Sequence, residues 1–173
     1  MNTRRRSGFT IIELMIVLVV IGVMVSLALP SMGDLVVRMR LKTAASDLHY
    51  SLAFARSEAI KRNAGMQIVP VSAANWALGW SVRVQSSGLV LSQQDPYSGL
   101  TFTTTNAAYA AAAVPSVTFS GIGRETGSAG AGIAFVISSA NYPLIKARCV
   151  VLDPSGRPAV RQDADMNPAN GCN

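Results

Sequence analysis

The feature that most constrains this chain is a run of 20 uncharged residues, from Leu14 to Gly33. A helix rises about 1.5 Å per residue, so this run is about 30 Å long, the thickness of a bilayer core. Arg4, Arg5 and Arg6 precede it, and such a cluster keeps the N-terminal end of a membrane helix in the cytoplasm. The sequence therefore predicts a membrane-spanning helix whose C-terminal side is exported.

Two ordinary alternatives fit the same segment, namely a secretory signal peptide and a permanent single-pass anchor. Ser26–Ala28 loosely matches the small-x-small site at which signal peptides are cut. Neither alternative explains Glu13, which lies at the start of the apolar run. A charged side chain at the bilayer centre costs about 2.5–3.5 kcal/mol, and less near the interface. Glu13 therefore needs a partner or a purpose.

The stretch Ser7–Met15, with the sequence SGFTIIELM, resembles the type III signal of type IV prepilins and type II secretion pseudopilins. The resemblance implies that a prepilin peptidase cuts between Gly8 and Phe9 at the inner membrane and N-methylates Phe9. It also implies that Glu13 meets the terminal amine of an adjacent filament subunit, since opposite charges attract strongly at low dielectric constant. Within one helix, Phe9 and Glu13 are expected to be neighbours at i, i+4 spacing.

Gly22 and Pro30 are poor residues for the interior of this helix. Relative to alanine, glycine costs about 1 kcal/mol and proline about 3 kcal/mol in a helix. Both are also frequent in membrane helices, and Pro30 can simply mark the membrane exit. The resemblance to pilins implies that helicity is lost between the two residues in the filament.

The rest of the chain predicts a single head of the α+β class, with a type IV pilin-like fold implied by the resemblance. The predicted organisation is a cleaved leader (residues 1–8), a transmembrane and assembly helix (9–33) and a periplasmic head (34–173). In the head, the helix continues to residue 63 and an antiparallel meander packs on its C-terminal half. The apolar helix face is predicted at Leu35, Met39, Leu41, Ala45, Leu48, Leu52, Ala55 and Ala59. Strands are predicted at residues 66–71, 78–85, 88–92, 100–104, 116–120, 133–138 and 148–153, and a mobile loop at 121–132.

Cys149 and Cys172 are the two cysteines of the chain. An exported head lies where disulfides form, so the two are predicted to pair and to add about 3 kcal/mol of stability. A metal site is the alternative, but two cysteines with only His49 supply too few ligands. The spacing from Asp163 to Asn167 opens like a calcium loop, yet Pro168 occupies the glycine position. We therefore expect neither a cofactor, a metal nor an enzymatic activity.

Two further motifs resemble the GspH/FimT family of minor pilins and pseudopilins. They are Ala55–Ala59, with the sequence ARSEA, and the tail motif Asp153–Pro158. The family implies a low-abundance subunit that joins other minor pilins and the major pilin in a tip or initiation complex and promotes pilus assembly. A minor pseudopilin of a type II secretion system is the alternative. Arg56 and Glu58 can equally be solvated charges at a helix end.

DNA binding is a third possibility, because a DNA-binding member of the same family uses a Gly-Arg-x-Arg element. The corresponding stretch here, Gly156–Ala159, lacks the second arginine. Arg148, Arg157 and Arg161 could still form a phosphate-binding patch. However, three of the cations behind the net charge of +6 lie in the leader, which leaves +3 in the remainder. Solvated surface charges are therefore the favoured interpretation of these three arginines.

Overall fold

A computed structural model describes residues 9–72, 74–106, 113–128 and 132–165, without the side chains of residues 27–31. Within these ranges the chain forms one helix, α1 (Ile11–Arg62), followed by eight strands. The strands are β1 (Met66–Ser72), β2 (Asn75–Val84), β3 (Val90–Gln94), β4 (Thr101–Asn106), β5 (Val117–Phe119), β6 (Ile133–Ser138), β7 (Arg148–Leu152) and β8 (Pro158–Gln162).

The chain divides into two compact units, Met1–Val36 and Val37–Asn173. The described part of the first unit is helical from Ile11 onward, without interruption at Gly22 or Pro30. A search of the described residues finds no helix with both the length and the apolar character needed to cross a membrane. The transmembrane role of residues 9–33 therefore stays a prediction.

The second unit is the head, and its core is built on one face of α1. Leu41, Leu48, Leu52, Ala55 and Ala59 are all buried there. Apolar residues three or four positions apart lie on one side of a helix, so this stripe can be covered by strands. The predicted face is thus confirmed from Leu41 to Ala59. It is wrong at Leu35 and Met39, whose exposed fractions are 47% and 59%.

The strands form two four-stranded sheets instead of one meander. Their orders are β3-β2-β1-β5 and β4-β6-β7-β8, and the neighbouring strands are antiparallel. The predicted single meander is wrong because β5 returns to pair with β1, whereas β4 pairs with β6. This arrangement lets both sheets contribute apolar side chains to one core with α1, among them Ile68, Phe135 and Val150.

Aromatic side chains occupy the centre of this core. The ring centroids of Trp76 and Phe135 are 4.9 Å apart in an edge-on arrangement, which joins the first sheet to the second. Trp80 is buried and donates a hydrogen bond from Nε1 to Ser51 Oγ on α1, at 2.9 Å. The buried indole N–H therefore has the partner that its removal from water requires.

Candidate assembly site and head surface

Helix α1 begins with a capping box made by Thr10 and Glu13. The Thr10 N–H donates to Glu13 Oε2 at 3.4 Å, and the Glu13 N–H donates to Thr10 Oγ1 at 3.3 Å. Phe9 precedes the helix, so it is not the helical i, i+4 neighbour of Glu13 that was expected. The Thr-x-x-Glu spacing is a known cap signature and could have predicted this pair. The carboxylate thus lies at the helix end where the dipole favours negative charge.

The segment that follows this cap has no polar face. All side chains from Phe9 to Ser26 are exposed, although nearly all of them are apolar. The exposed fraction is 82% at Ile11 and still 52% at Val25. A Cβ atom added to Gly22 would have no neighbour within 4 Å. A helix that is apolar on every side needs a cover of lipid or of other helices.

The other assembly predictions for this region, cleavage before Phe9 and loss of helicity between Gly22 and Pro30, are not tested by the structure. Gly8 lies outside the described residues, so cleavage before Phe9 stays a prediction. Helix α1 is continuous across Gly22 and Pro30 in the isolated chain. The loss of helicity between them concerns the assembled filament and also stays a prediction.

In the head, the C-terminal end of α1 contacts the glycine-rich segment after β5. Arg56 Nε donates a hydrogen bond to the carbonyl of Gly123 at 3.0 Å. A Cβ at Gly123 would lie 2.6 Å from Ile60 Cδ1, and one at Gly121 would lie 2.8 Å from Asn63 Oδ1. Gly121 and Gly123 therefore pack closely on the helix end, and the mobility predicted for the loop stays a prediction. Residues 129–131 lie outside the described residues.

The carboxylate of Glu58 is buried and paired within the same helix end. Arg62 Nε lies 2.6 Å from Glu58 Oε2, and Lys61 Nζ lies 3.4 Å from Oε1. The hydrogen bond from Arg62 is the main reason that the pKa of Glu58 is lowered, and desolvation opposes it. The interpretation of Arg56 and Glu58 as freely solvated charges is therefore wrong, because both side chains make contacts within the head.

The tail motif Asp153–Pro158 forms the hairpin turn between β7 and β8. The Gly156 N–H donates to the Asp153 carbonyl at 2.9 Å, and the Arg157 N–H donates to Asp153 Oδ1 at 3.0 Å. Desolvation opposes ionisation of Asp153, but hydrogen bonds from Ser155 and from the Arg157 backbone prevail and lower its pKa. Strand β8 had not been predicted, since four of its five residues are exposed and show no alternation.

The three arginines that could have formed a phosphate-binding patch do not share one surface. Arg148 pairs with Gln162, and the next pair is Cys149 with Arg161. Successive residues of a strand point to opposite faces, so Arg148 and Arg161 lie on opposite sides of the sheet. Arg157 lies in the turn at the far end of the same strands. The structure instead brings Arg148 together with Arg38 and Lys146 around a small cavity.

Cys149 is buried in β7 and is not a free cysteine. Cys172 lies outside the described residues, so the Cys149–Cys172 disulfide stays a prediction. Among the described residues, no group of three or more His, Cys, Asp or Glu side chains is placed to hold a metal ion. His49 is half-buried on α1, and Asn167 lies outside the described part of the tail.

The head resembles two solved structures of minor subunits. The type IV minor pilin FimU of Pseudomonas aeruginosa matches with a TM-score of 0.60 and 22% identity, over 75% of this chain and 97% of that one. The minor pseudopilin EpsH from the type 2 secretion system of Vibrio cholerae matches with a TM-score of 0.51 and 12% identity, over 71% and 95% of the two chains. These likenesses confirm the α+β, type IV pilin-like fold.

The sequence comparisons agree with the fold. The pilin-like protein PilA1 of Thermus thermophilus is 40% identical over 75 residues, which are 42% of this chain. The chain spans about half the length of that relative, 47%. The model of a prokaryotic N-terminal methylation motif matches residues 3–29, and that of the type II transport protein GspH matches residues 44–156. The chain therefore belongs to the GspH family of minor pilins and pseudopilins.

Proposed function

We propose that this protein is a minor type IV pilin, which resides in the inner membrane with a periplasmic head and is then incorporated into the pilus. The observation that carries the proposal is the helix segment after Phe9, which is apolar on every side and exposed throughout its described side chains. Lipid covers this segment before assembly, and neighbouring helices cover it afterwards. The methylation motif over residues 3–29 supports this order of events.

Glu13 is the proposed assembly contact. In the isolated chain its carboxylate accepts a hydrogen bond only from the Thr10 N–H, at 3.4 Å, among the described residues. That bond is long, so the carboxylate can also accept one from a second donor. Cleavage before Phe9 creates a positive amine, and the amine of an adjacent subunit would supply both the donor and the charge. An ion pair of this kind in an apolar surrounding fixes the axial register of two subunits, because either charge alone is costly there.

The test separates this ionic contact from the helix cap. Glu13→Gln keeps a side chain that can complete the capping box but removes the charge, whereas Glu13→Val removes both. We expect both variants to reach the membrane fraction and both to be depleted from sheared pili. Thr10→Val, which weakens the cap and keeps the charge, is the matched control and is expected to assemble. Normal recovery of the Glu13→Gln protein in pili would show that the charge has no role in assembly.

The head is the proposed contact for other subunits. The family is one of structural pilins and pseudopilins, and this supports a place in a pilus tip or initiation complex beside other minor pilins and the major pilin. Purification of the tagged full chain from membranes, followed by identification of bound pilins, tests the identity of these partners. Recovery of the chain without any pilin would contradict a role in such a complex.

A minor pseudopilin of a type II secretion system is the second candidate. The description of the matching family model and the fold likeness to EpsH favour it. Deletion of the protein should then abolish export of secreted enzymes and leave surface pili intact. The pilin proposal predicts the reverse result, so one deletion strain assayed for both properties separates the two functions.

DNA uptake is the weakest candidate, since Arg148, Arg157 and Arg161 are spread over two faces and both ends of β7 and β8. We expect the double variant Arg157→Gln with Arg161→Gln to bind duplex DNA no more weakly than the parent chain at low salt. A clear loss of a DNA mobility shift in that variant would revive the DNA-binding function.

A further inference from the structure

A small basic cavity lies in the head between α1 and the second sheet. Its volume is about 50 Å³, and its lining residues are Arg38, Leu41, Ile145, Lys146, Arg148 and Gln162. Leu41 and Ile145 are buried and form an apolar floor, while Lys146 and Arg148 are half-buried. Arg38 of α1 and two cations at the start of β7, Lys146 and Arg148, thus line one cavity, and none of its described lining residues is acidic.

Among the residues that the structure describes, two of these cations have no side-chain partner. Within the described ranges, neither Arg38 nor Arg148 makes a side-chain hydrogen bond or an ion pair, whereas Lys146 Nζ donates to the carbonyl of Ala164 at 2.6 Å. Guanidinium groups match the oxygen atoms of a phosphate group bidentately. The apolar floor lowers the local dielectric constant and strengthens such an interaction. The cavity therefore has the chemistry of a site for a single phosphate group.

The position of Arg38 in the chain indicates where that phosphate comes from. Arg38 follows Gly33, the end of the uncharged segment, by five residues. Five residues span at most about 18 Å even when fully extended, so Arg38 lies near the membrane surface if residues 9–33 cross the bilayer. Arg40 and Lys42 are also exposed on the same stretch of α1. Lys and Arg side chains near a membrane surface that contains anionic lipids are attracted to it by about 1 kcal/mol each.

We propose that this cavity binds the headgroup of an anionic phospholipid while the protein resides in the membrane, before assembly into the pilus. The inference rests on the membrane stage of the proposed function. The phosphate oxygens contact Arg38 and Arg148, and Lys146 and Gln162 border the same cavity. Duplex DNA is the less suitable ligand, because a cavity of about 50 Å³ accommodates one phosphate group and not a continuous backbone track.

The experiment uses the full chain purified in detergent and measures lipid retention by native mass spectrometry. The probes are phosphatidylglycerol, the zwitterionic phosphatidylcholine, inorganic phosphate and a short DNA duplex. The variants are Arg38→Gln and Arg148→Gln, which act on different elements of the cavity. Arg161→Gln is the matched control, since it removes the same charge from the opposite face of the sheet. Membrane fractionation and melting temperature are measured for every variant.

We expect phosphatidylglycerol to be retained in preference to phosphatidylcholine. The preference should fall about fivefold for each cation removed from the cavity and stay unchanged in the Arg161→Gln protein. Equal retention of both lipids, or an equal loss in the control, would overturn the inference. Binding of inorganic phosphate or DNA without a lipid preference would overturn it too. If the chain is absent from membranes, the proposed function fails instead, and fractionation distinguishes that outcome.

Discussion

Replacement of Gly156 by alanine tests how the two family motifs are joined in the head. Gly156 has a φ of +80°, and an added Cβ would lie 2.2 Å from the carbonyl oxygen of Gly123. The left-handed conformation alone costs a residue with a Cβ about 1–2 kcal/mol. The contact adds to this, because the backbone at Gly123 cannot stay where it is. That carbonyl accepts the hydrogen bond from Arg56, so the motif on α1 and the turn before β8 are disturbed together.

Gly88 is the matched control for the conformational part of this cost. Its φ is +70°, but a Cβ there would meet no atom within 4 Å. Gly88→Ala should therefore cost only the conformational term, about 1–2 kcal/mol. Gly156→Ala should in addition lose about two hydrogen bonds, one in the turn and one from Arg56, each worth about 1 kcal/mol. In a chain of this size the extra 2 kcal/mol lowers the melting temperature by about 4–8 °C.

The assay is thermal unfolding of the full chain in detergent, followed by tryptophan fluorescence. Both tryptophans, Trp76 and Trp80, are buried in the head, so their emission reports on this unit. If Gly156→Ala and Gly88→Ala melt at the same temperature, the close approach of Gly156 to Gly123 contributes nothing to stability. The proposed coupling of the two motifs would then be refuted.

Three further predictions concern the helix end, the core and the N-terminus. The pKa of Glu58 is lowered by Arg62, so this carboxylate stabilises the head above pH 4.5, and the contribution is lost as the pH falls through the lowered pKa. The free energy of unfolding of Glu58→Gln should therefore change less between neutral and acid pH than that of the parent chain. Trp80→Phe leaves Ser51 Oγ without its donor and should lower the free energy of unfolding in urea by about 1–3 kcal/mol. The same substitution in a Ser51→Ala background should lower it by less, and this comparison is the check. The intact mass of the chain from pili should correspond to a protein that begins at Phe9 with one added methyl group, and an unprocessed N-terminus would contradict the cleavage site.

Much of the fold could be read from local sequence patterns. The spacing of apolar residues from Leu41 to Ala59 predicted the buried helix face, because helical periodicity depends only on neighbours three and four positions apart. Strands β1, β4, β6 and β7 were predicted close to their observed bounds for a similar reason, since each is a short β-rich run between turn residues. Strand β8 was not predicted, because an exposed edge strand carries no such pattern.

The candidate sites likewise differ in how far the sequence alone could predict them. The motif around Glu13 depends on covalent order and on the start of one helix, so it was visible in the sequence, although the cap from Thr10 was overlooked. The possible patch of Arg148, Arg157 and Arg161 could not be judged from the sequence, because the proximity of side chains in a sheet depends on strand register. A shift of one position moves a side chain to the other face of a sheet, and this is the difference between Arg148 and Arg161.

Chain order and local periodicity were enough to establish an apolar helix with one carboxylate at its start, an amphipathic continuation and a β-rich head. Tertiary structure alone decided that the strands divide into two sheets, that Gly123 and Gly156 touch, and that Arg38 meets Arg148. The physical reason is the range of the interactions. Helix formation and capping act between residues a few positions apart, whereas strand pairing and burial join residues that are distant in the chain and depend on the whole packed core.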